Sequence, residues 1–216
     1  MTRHFTDVDD LSATELETVL DAASEFKTQL KRDEPHSVLE RRTLGMVFEK
    51  PSTRTRVSFE TGMTQLGGHA IFLGPDDIGL GKREPLKDTA RTLSGYVDCA
   101  MVRLFEHADL EELTAHASIP VINGLTDDAH PCQTLADLLT IRETVGFDSQ
   151  VAWVGDGNNV AQSFVLGCAL CGIDLTVATP PEYGIDSGVL DRARELGGAP
   201  ELVETPEAAV ADAEVV

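Results

Sequence analysis

The sequence is short of positive charge. Its 216 residues hold 17 Lys and Arg against 37 Asp and Glu, a formal net charge of −20 at pH 7, and only five of the cations are Lys. The excess is spread evenly: residues 1–147 hold 25 acidic and 15 basic residues, and residues 148–216 hold 12 and 2. A surface field of this sign disfavours nucleic acid and anionic membranes as partners. Acidity this pervasive indicates adaptation to a high-salt cytoplasm, and we expect a halophilic protein.

Long apolar runs and a cysteine framework are also lacking. No apolar stretch is long enough to cross a bilayer. No basic n-region followed by an apolar h-region appears at the start, so we expect no secretory signal. The four cysteines show no disulfide pattern, and Cys168 and Cys171 form one CxxC without the second ligand pair that a zinc site requires. We therefore predict a cytoplasmic protein with no metal and no cofactor, in which these two cysteines are small buried residues of a helix.

What the sequence does have is a regular alternation of short apolar strands and helices. A capping box from Ser12 to Glu15 opens a helix that runs to about Lys31. The predicted strands that follow are 43–48, 69–73, 99–104, 119–124, 150–156, 174–179 and one near 201. The predicted helices are 85–96, 108–117, 131–145, 159–171, 187–196 and 206–211, and an earlier one that Ser52 caps and that Gly67-Gly68 ends. A loop containing Gly74, Pro75, Gly79 and Gly81 is expected after the second strand.

This alternation predicts an α/β fold with two doubly wound parallel-sheet domains joined by a helix. Residues 1–147 form the first domain, with a linker helix at about 131–145, and residues 148–216 begin the second. The second domain has few strands, and the chain ends on AEVV, which resembles the start of a further strand. We therefore expect the second domain to be incomplete in this chain.

A basic, hydroxyl-rich segment, PSTRTR (51–56), lies where the first predicted strand gives way to a helix. Open α/β sheets bind ligands at the carboxyl ends of their strands. Ser52 suits the N-cap, and the N–H groups that follow it, the helix dipole and a guanidinium form an anion site. Arg54 and Arg56 point about 200° apart on a helix, so we assign Arg54 to the ligand and Arg56 to a structural ion pair. The alternative is a well-capped helix with surface arginines.

A second helix start of this kind follows a later strand. In His130-Pro131-Cys132-Gln133, Pro131 suits the first helical position, which leaves His130 as the cap and Gln133 in the first turn. Arg103 ends another strand, and a charge there requires an anion. These residues predict one shared pocket, although His130 as a simple cap and Arg103 as a surface or ion-paired residue remain alternatives.

The segment GDGNN (155–159) resembles the start of a dinucleotide fingerprint, but it lacks the third glycine. The acidic residue expected about 20 positions later is also absent, since Ala178, Thr179 and Pro180 stand there. NAD binding is therefore disfavoured. Asn158 and Asn159 are left either to hold a small polar ligand or to cap the helix.

Together, STRTR, MVRLFEH, NGLTDDAHPCQTLADLLTI and VGDGNNV resemble the ornithine carbamoyltransferase family along nearly the whole chain. The related aspartate carbamoyltransferases share STRTR and His-Pro-x-Gln, whereas GDGNNV favours the ornithine enzymes. The resemblance implies two α/β domains, one for carbamoyl phosphate and one for the amino acid. It also implies assembly as a homotrimer or as a group of trimers.

The resemblance also implies roles for individual residues. The phosphate would be held by four residues of the first motif, namely Ser52, Thr53, Arg54 and Thr55. Arg103 would bridge the phosphate and the carbonyl oxygen, which His130 and Thr55 would help to polarise. Gln133 would hold the carbamoyl NH₂ group, and Asn159 would bind L-ornithine. The implied catalytic residues are thus Arg103, His130 and Thr55, and Cys132 is a neighbour rather than a nucleophile.

Two departures from the family pattern stand out. Gly79 replaces a Gln that contacts the adjacent subunit's carbamoyl phosphate in many members, with Lys82 as a possible substitute. The family's Asp-x-x-x-Ser-Met-Gly and His-Cys-Leu-Pro motifs would lie beyond Val216, so this chain alone should be inactive. The rival hypotheses are carbamoyl transfer to putrescine or aspartate, a nucleotide-binding oxidoreductase, and a non-catalytic phosphate-binding module.

Overall fold

The computed structural model describes residues 2–34, 36–79 and 84–216, which separate into two compact units. The first unit comprises Met1–Thr6 and Ala22–Asp127, and the second comprises Asp7–Asp21 and Asp128–Val216. The predicted boundary at residues 147 and 148 stays a prediction, because this grouping follows packing rather than chain order. It assigns the predicted linker helix and a short N-terminal segment to the second unit.

The first unit contains a parallel four-stranded sheet in the order β2-β1-β3-β4. Its strands are β1 (Thr43–Phe48), β2 (His69–Leu73), β3 (Cys99–Arg103) and β4 (Val121–Leu125). The helices that connect them are α2 (Thr53–Gln65), α3 (Pro75–Ile78), α4 (Leu86–Ser94) and α5 (His107–His116). Helix α1 (Ala13–Lys31) begins in the second unit and ends in the first, and it starts with the predicted capping box, in which Ser12 N–H donates to Glu15 Oε2 at 2.9 Å.

Both faces of the central strands β1 and β3 are buried, as the near-continuous apolar sequence of β1 predicts. Because side chains alternate along a strand, Val47 packs towards α4 and α5, whereas Met46 packs towards α2. The cluster on the first side includes Val102, Leu110 and Leu113, and that on the second includes Leu44, Phe48, Met63 and Met101. Truncating a fully buried residue such as Met101 to Ala would cost about 2–5 kcal/mol.

Strands β1 and β3 end side by side, with Phe48 opposite Arg103. The N–H of Glu49 donates to the carbonyl of Arg103 at 2.9 Å, which holds the chain leaving β1 against the end of β3. The segment that leads into α2 therefore starts beside Arg103. Topology alone places the two predicted anion-binding elements at one edge of the first sheet.

The second unit contains a parallel three-stranded sheet in the order β5-β6-β7. Its strands are β5 (Val151–Val154), β6 (Leu175–Ala178) and β7 (Glu201–Val203), and its helices are α6 (Pro131–Thr144), α7 (Asn159–Cys171), α8 (Ser187–Glu195) and α9 (Pro206–Val210). Helices α6 and α7 approach closely at Gly167, where an added Cβ would lie 2.5 Å from Thr134 Cγ2. Val215 forms a single parallel bridge with Val151, as expected if AEVV opens a strand.

The predicted fold class is confirmed, with one local correction. The loop expected after β2 contains the one-turn helix α3, whose start is fixed by Gly74 N–H donating to Asp77 Oδ2 at 2.8 Å. Gly79 ends this helix in the left-handed conformation, with φ of 54°, which favours glycine over other residues. Gly81 and Lys82 lie outside the described residues. None of the helices described is long and apolar enough to cross a membrane.

Candidate active site

The start of α2 is capped as predicted. Ser52 adopts an extended backbone, and its Oγ accepts the N–H of Thr55 at 3.3 Å while its hydroxyl donates to Thr55 Oγ1 at 3.0 Å. Thr53 is the first helical residue, and the first turn contains no acidic side chain. The free N–H groups and the positive end of the dipole therefore meet no carboxylate from their own turn, which leaves them suited to an anion.

Arg56 forms the structural ion pair predicted for it, whereas the assignment of Arg54 to a ligand stays a prediction. Arg56 Nε lies 2.9 Å from Glu60 Oε1, and its guanidinium lies 3.8 Å from the centre of the Phe72 ring. Arg54 is exposed and forms no ion pair within the described part of the chain. Arg56 is thus committed to the fold, while Arg54 is available to a ligand.

Arg103 is half-buried at the end of β3, and its Nε is buried with no hydrogen-bond partner among the residues described. Burial lowers the pKa of Arg103, the charge of Arg54 lowers it further, and Asp127 opposes both. No described carboxylate lies within ion-pair distance of Arg103. Two guanidinium groups that repel each other without a paired carboxylate form a site for an anion.

Lys50, the cation just before the PSTRTR segment, already forms an ion pair within the protein. Its Nζ lies 2.9 Å from Asp127 Oδ1 and 5.1 Å from the centre of the Phe105 ring. Glu49 Oε2 accepts the N–H of Phe105 at 3.1 Å. These contacts join the segments that follow β1, β3 and β4 and so fix the edge that carries Arg103.

At the start of α6, His130 occupies the N-cap and Pro131 the first turn, but the His130 side chain makes no capping hydrogen bond. The prediction of His130 as a cap is therefore correct in position and wrong for the imidazole. Gln133 is exposed, and its Nε2 donates to Asp137 Oδ1 at 2.9 Å. Burial raises the pKa of Asp137, and the bond from Gln133 opposes that rise.

The cysteines of the second unit are poorly suited to act as nucleophiles. Burial raises the pKa of Cys132 to about 12, so its thiol is protonated near neutral pH. On α7, Cys168 is buried as predicted and Cys171 is half-buried. Across the described ranges, no group of three or more His, Cys, Asp or Glu side chains is placed to hold a metal ion.

The start of α7 is capped by Asn158, whose Oδ1 accepts the N–H groups of Val160 and Ala161 at 3.0 and 3.2 Å. Asn159 is the first helical residue and is half-buried. A Cβ on Gly157 would lie 2.5 Å from the carbonyl oxygen of Gly184. The second glycine of GDGNN is therefore required by packing within the protein, not by a pyrophosphate.

The structure also shows a buried polar cluster in the second unit that the sequence does not reveal. Ser163 Oγ accepts the N–H of His130 at 2.9 Å and donates to Asp7 Oδ1 at 2.8 Å. Arg192 donates to Asp7 Oδ2 at 2.9 Å and also binds Asp9. The sequence contains only two weak signals of this cluster. They are a serine, Ser163, in the apolar helix α7 and an aspartate, Asp7, before the capping box.

These features define an α/β protein whose predicted anion site lies where one strand ends and the next helix begins. The chain matches "Aspartate/ornithine carbamoyltransferase, carbamoyl-P binding domain" over residues 3–143 and "Aspartate/ornithine carbamoyltransferase, Asp/Orn binding domain" over residues 148–216. It belongs to the aspartate/ornithine carbamoyltransferase family.

Similar proteins support this assignment. The ornithine carbamoyltransferase of Haloquadratum walsbyi is 66% identical over 215 residues, which cover 99% of this chain and 70% of that protein. The anabolic ornithine carbamoyltransferase of Pyrococcus furiosus is 48% identical over 213 residues, covering 96% and 68%. The solved structure of ornithine carbamoyltransferase from Pyrococcus furiosus superimposes with a TM-score of 0.95 and 47% identity, covering 99% of this chain and 70% of that one. These shares agree with the expectation of an incomplete second domain.

Proposed function

We propose that the protein transfers the carbamoyl group of carbamoyl phosphate to the δ-amine of L-ornithine, giving L-citrulline and phosphate in arginine metabolism. The observation that carries the proposal is that Arg54 and Arg103 have no paired carboxylate among the described residues, in a family whose members include ornithine carbamoyltransferases. In a chain with 37 acidic residues, such a pair is best explained by an anionic substrate.

The chemistry requires positioned donors rather than a protein nucleophile. The neutral amine attacks the carbonyl carbon, a tetrahedral oxyanion forms, and its collapse expels phosphate while the nitrogen loses a proton. Donors aimed at the developing charge and two substrates held together lower this barrier. The raised pKa of Cys132 agrees with a mechanism that uses no thiolate. No metal or cofactor is part of the proposal.

In the first unit we assign the phosphate to the start of α2. The N–H groups and hydroxyls of Ser52, Thr53 and Thr55 would donate to phosphate oxygens, and Arg54 would balance their charge. Arg103 would contact both the phosphate and the carbonyl oxygen. The missing hydrogen-bond partner of its Nε among the described groups supports this role.

We assign His130 of the second unit to polarisation of the carbonyl, a role that it would share with Thr55 of the first unit. In the second unit, Gln133 is assigned to the carbamoyl NH₂ group and Asn159 to ornithine. Support for these roles comes from the family motifs and from the place of His130 and Asn159 at the starts of α6 and α7. Gln133 would exchange its bond to Asp137 for one to the substrate.

The test is to express the complete gene and to supply carbamoyl phosphate with ornithine, aspartate or putrescine in parallel. We expect citrulline from ornithine and little product from the other two acceptors. If product forms only with aspartate or only with putrescine, that compound is the acceptor and the assignment of ornithine is wrong. Binding of carbamoyl phosphate without any transfer would favour the phosphate-binding module instead.

We further propose a cytoplasmic homotrimer, or an assembly of trimers, adapted to high salt. The charge of −20 and the 66% identity to the Haloquadratum walsbyi protein support the salt adaptation. Sedimentation analysis of the complete protein tests the trimer. Activity and folding should fall as salt is lowered from molar to millimolar concentration, and equal behaviour at both would refute the adaptation.

A further inference from the structure

A buried polar chain in the second unit ends on the backbone of His130. The N–H of His130 donates to Ser163 Oγ at 2.9 Å, and the Ser163 hydroxyl donates to Asp7 Oδ1 at 2.8 Å. A backbone N–H can only donate, and a hydroxyl has one proton, so the direction of the chain is fixed. Ser163 is fully buried and Asp7 is 9% exposed, which makes loss of either bond costly.

Asp7 is itself held from three directions. Its Oδ1 also accepts the N–H of Val8 at 2.8 Å, and its Oδ2 accepts from Arg192 at 2.9 Å. Arg192 Nε donates to Asp9 Oδ2 at 2.8 Å, so the guanidinium is anchored on α8 and on the segment before α1. Burial raises the pKa of Asp7, and the bonds from Ser163 and Val8 together with the charge of Arg192 oppose that rise.

These hydrogen bonds hold the start of α6, where the N-cap side chain makes no capping bond. His130 occupies the N-cap of α6 with φ of −138° and ψ of 64°, and its imidazole makes no capping bond. The orientation of its backbone is instead fixed by Ser163. The backbone of a residue sets the direction of its Cα–Cβ bond. The bond to Ser163 therefore also helps to fix the direction in which the His130 side chain projects.

We propose that Ser163 and Asp7 are positioning residues for the transfer reaction, which hold the backbone of His130 so that its imidazole meets the carbamoyl carbonyl. The inference rests on the proposed function, because it requires His130 to act on that carbonyl. Ser163 lies one turn after Asn159 on α7. The helix assigned to ornithine thereby also orients a group assigned to carbamoyl phosphate.

The test uses the enzyme expressed from its complete gene, with kcat and KM measured for both substrates. Ser163→Ala and Asp7→Ala should each lower kcat by about 10- to 100-fold, the scale expected for a misplaced catalytic group. The KM for carbamoyl phosphate should change little, since the contacts proposed for its phosphate are untouched. Asp7→Asn retains an oxygen that accepts from Ser163 and Val8, so it should recover most of the kcat lost in Asp7→Ala.

Val165→Ala is the matched control, because Val165 is also buried on α7 but takes no part in the polar chain. It should lower thermal stability and leave kcat unchanged well below its melting temperature. If the unaltered enzyme makes citrulline while Ser163→Ala and both Asp7 variants match the control in kcat, the positioning role is wrong and the proposed function stands. If Ser163→Ala does not fold, the difference between Asp7→Ala and Asp7→Asn decides. An unaltered enzyme that makes no citrulline overturns both proposals.

Discussion

The two ends of the first sheet differ in whether their arginines are paired with carboxylates. At the amino ends of β1 and β3, Arg42 lies 2.7 Å from Asp98 Oδ1, and Asp98 Oδ2 accepts the N–H of Thr43 at 2.8 Å. At the carboxyl ends of the same strands, Arg54 and Arg103 form no ion pair with any described residue. Arg42 at the amino end is paired within the protein, whereas Arg54 and Arg103 at the carboxyl end have no paired carboxylate among the residues that the structure describes.

This difference separates charge that stabilises the fold from charge that serves a ligand. A chain rich in Asp and Glu could readily place a carboxylate beside Arg103. The carboxylate of Asp127 interacts electrostatically with Arg103, but its ion pair is with Lys50. Parallel α/β sheets bind ligands at the carboxyl ends of their strands. The charge pattern of the first unit therefore favours the same edge as the ligand-binding edge that the sequence motifs predict.

The largest effect is expected from Arg103→Met. This variant should lose the thermal stabilisation given by carbamoyl phosphate and about 100-fold or more of kcat/KM in the complete enzyme, the range found when a buried charged contact is truncated. Without ligand it should melt no lower than the parent. Burial and the charge of Arg54 disfavour the guanidinium there, as its lowered pKa shows.

Thermal shift measured with and without carbamoyl phosphate separates the two effects. A variant that melts at a lower temperature but keeps the full shift with carbamoyl phosphate would mean that Arg103 stabilises the fold. The two ends of the sheet would then not differ in the way proposed.

A smaller effect is expected from Arg54→Gln, with Arg56→Gln as the matched control two residues away on α2. Arg54→Gln should weaken carbamoyl phosphate binding about tenfold, the loss expected for one charge-assisted contact, with little change in stability. Arg56→Gln should retain binding and lose about 0.5–1.5 kcal/mol of stability through Glu60 and Phe72. Calorimetric titration and denaturant unfolding measure the two quantities. Equal loss of binding in both variants would contradict the division of roles.

The local features of these regions could be predicted from sequence. The ion pair of Arg56 follows from the spacing of four residues to Glu60 on a helix, and the cap at Ser52 follows from its place after a buried strand. Strand β1 and helix α7 have the predicted bounds because their apolar pattern and caps are local signals. Helix α3 was missed because it is only four residues long, begins with Pro75 and is flanked by Gly74 and Gly79, which are signals that also indicate a loop.

The contacts that join distant segments could not be predicted. Ser163 and Asp7 are 156 residues apart, and Arg192 and Asp7 are 185 apart. No periodicity relates such positions, and Asp7 looks like one of 37 acidic residues on a charged surface. The bond between Lys50 and Asp127, which spans 77 positions, was missed for the same reason. The sequence offers candidates for an anion site, but it does not reveal the long-range contacts that hold them in place.

Ser52 allows the cap and the ligand contact to be separated. Ser52→Ala should cost about 1 kcal/mol of stability, whereas Ser52→Gly should cost only a few tenths, because glycine is tolerated at an N-cap. Both variants lack the hydroxyl, so both should weaken carbamoyl phosphate binding to the same extent. Binding losses that follow the stability losses instead would show that Ser52 acts only as a cap.

The smallest effect, and the sharpest contrast between the two ends, is expected from the pH dependence of Asp98→Asn. The N–H of Thr43 and then Arg42 lower the pKa of Asp98 below its ordinary value of 3.8. A carboxylate with a lowered folded-state pKa stabilises the fold above its unfolded pKa, and that stabilisation is lost as pH falls through the folded value. The stability of Asp98→Asn should thus lie below that of the parent near pH 7, and the gap should close below about pH 4. The gap for Arg103→Met should change less over this range, because neither the guanidinium nor the Met side chain titrates there. Denaturant unfolding of both variants between pH 7 and pH 3 tests the contrast, and a gap for Asp98→Asn that stays constant would show that its carboxylate is not what balances Arg42.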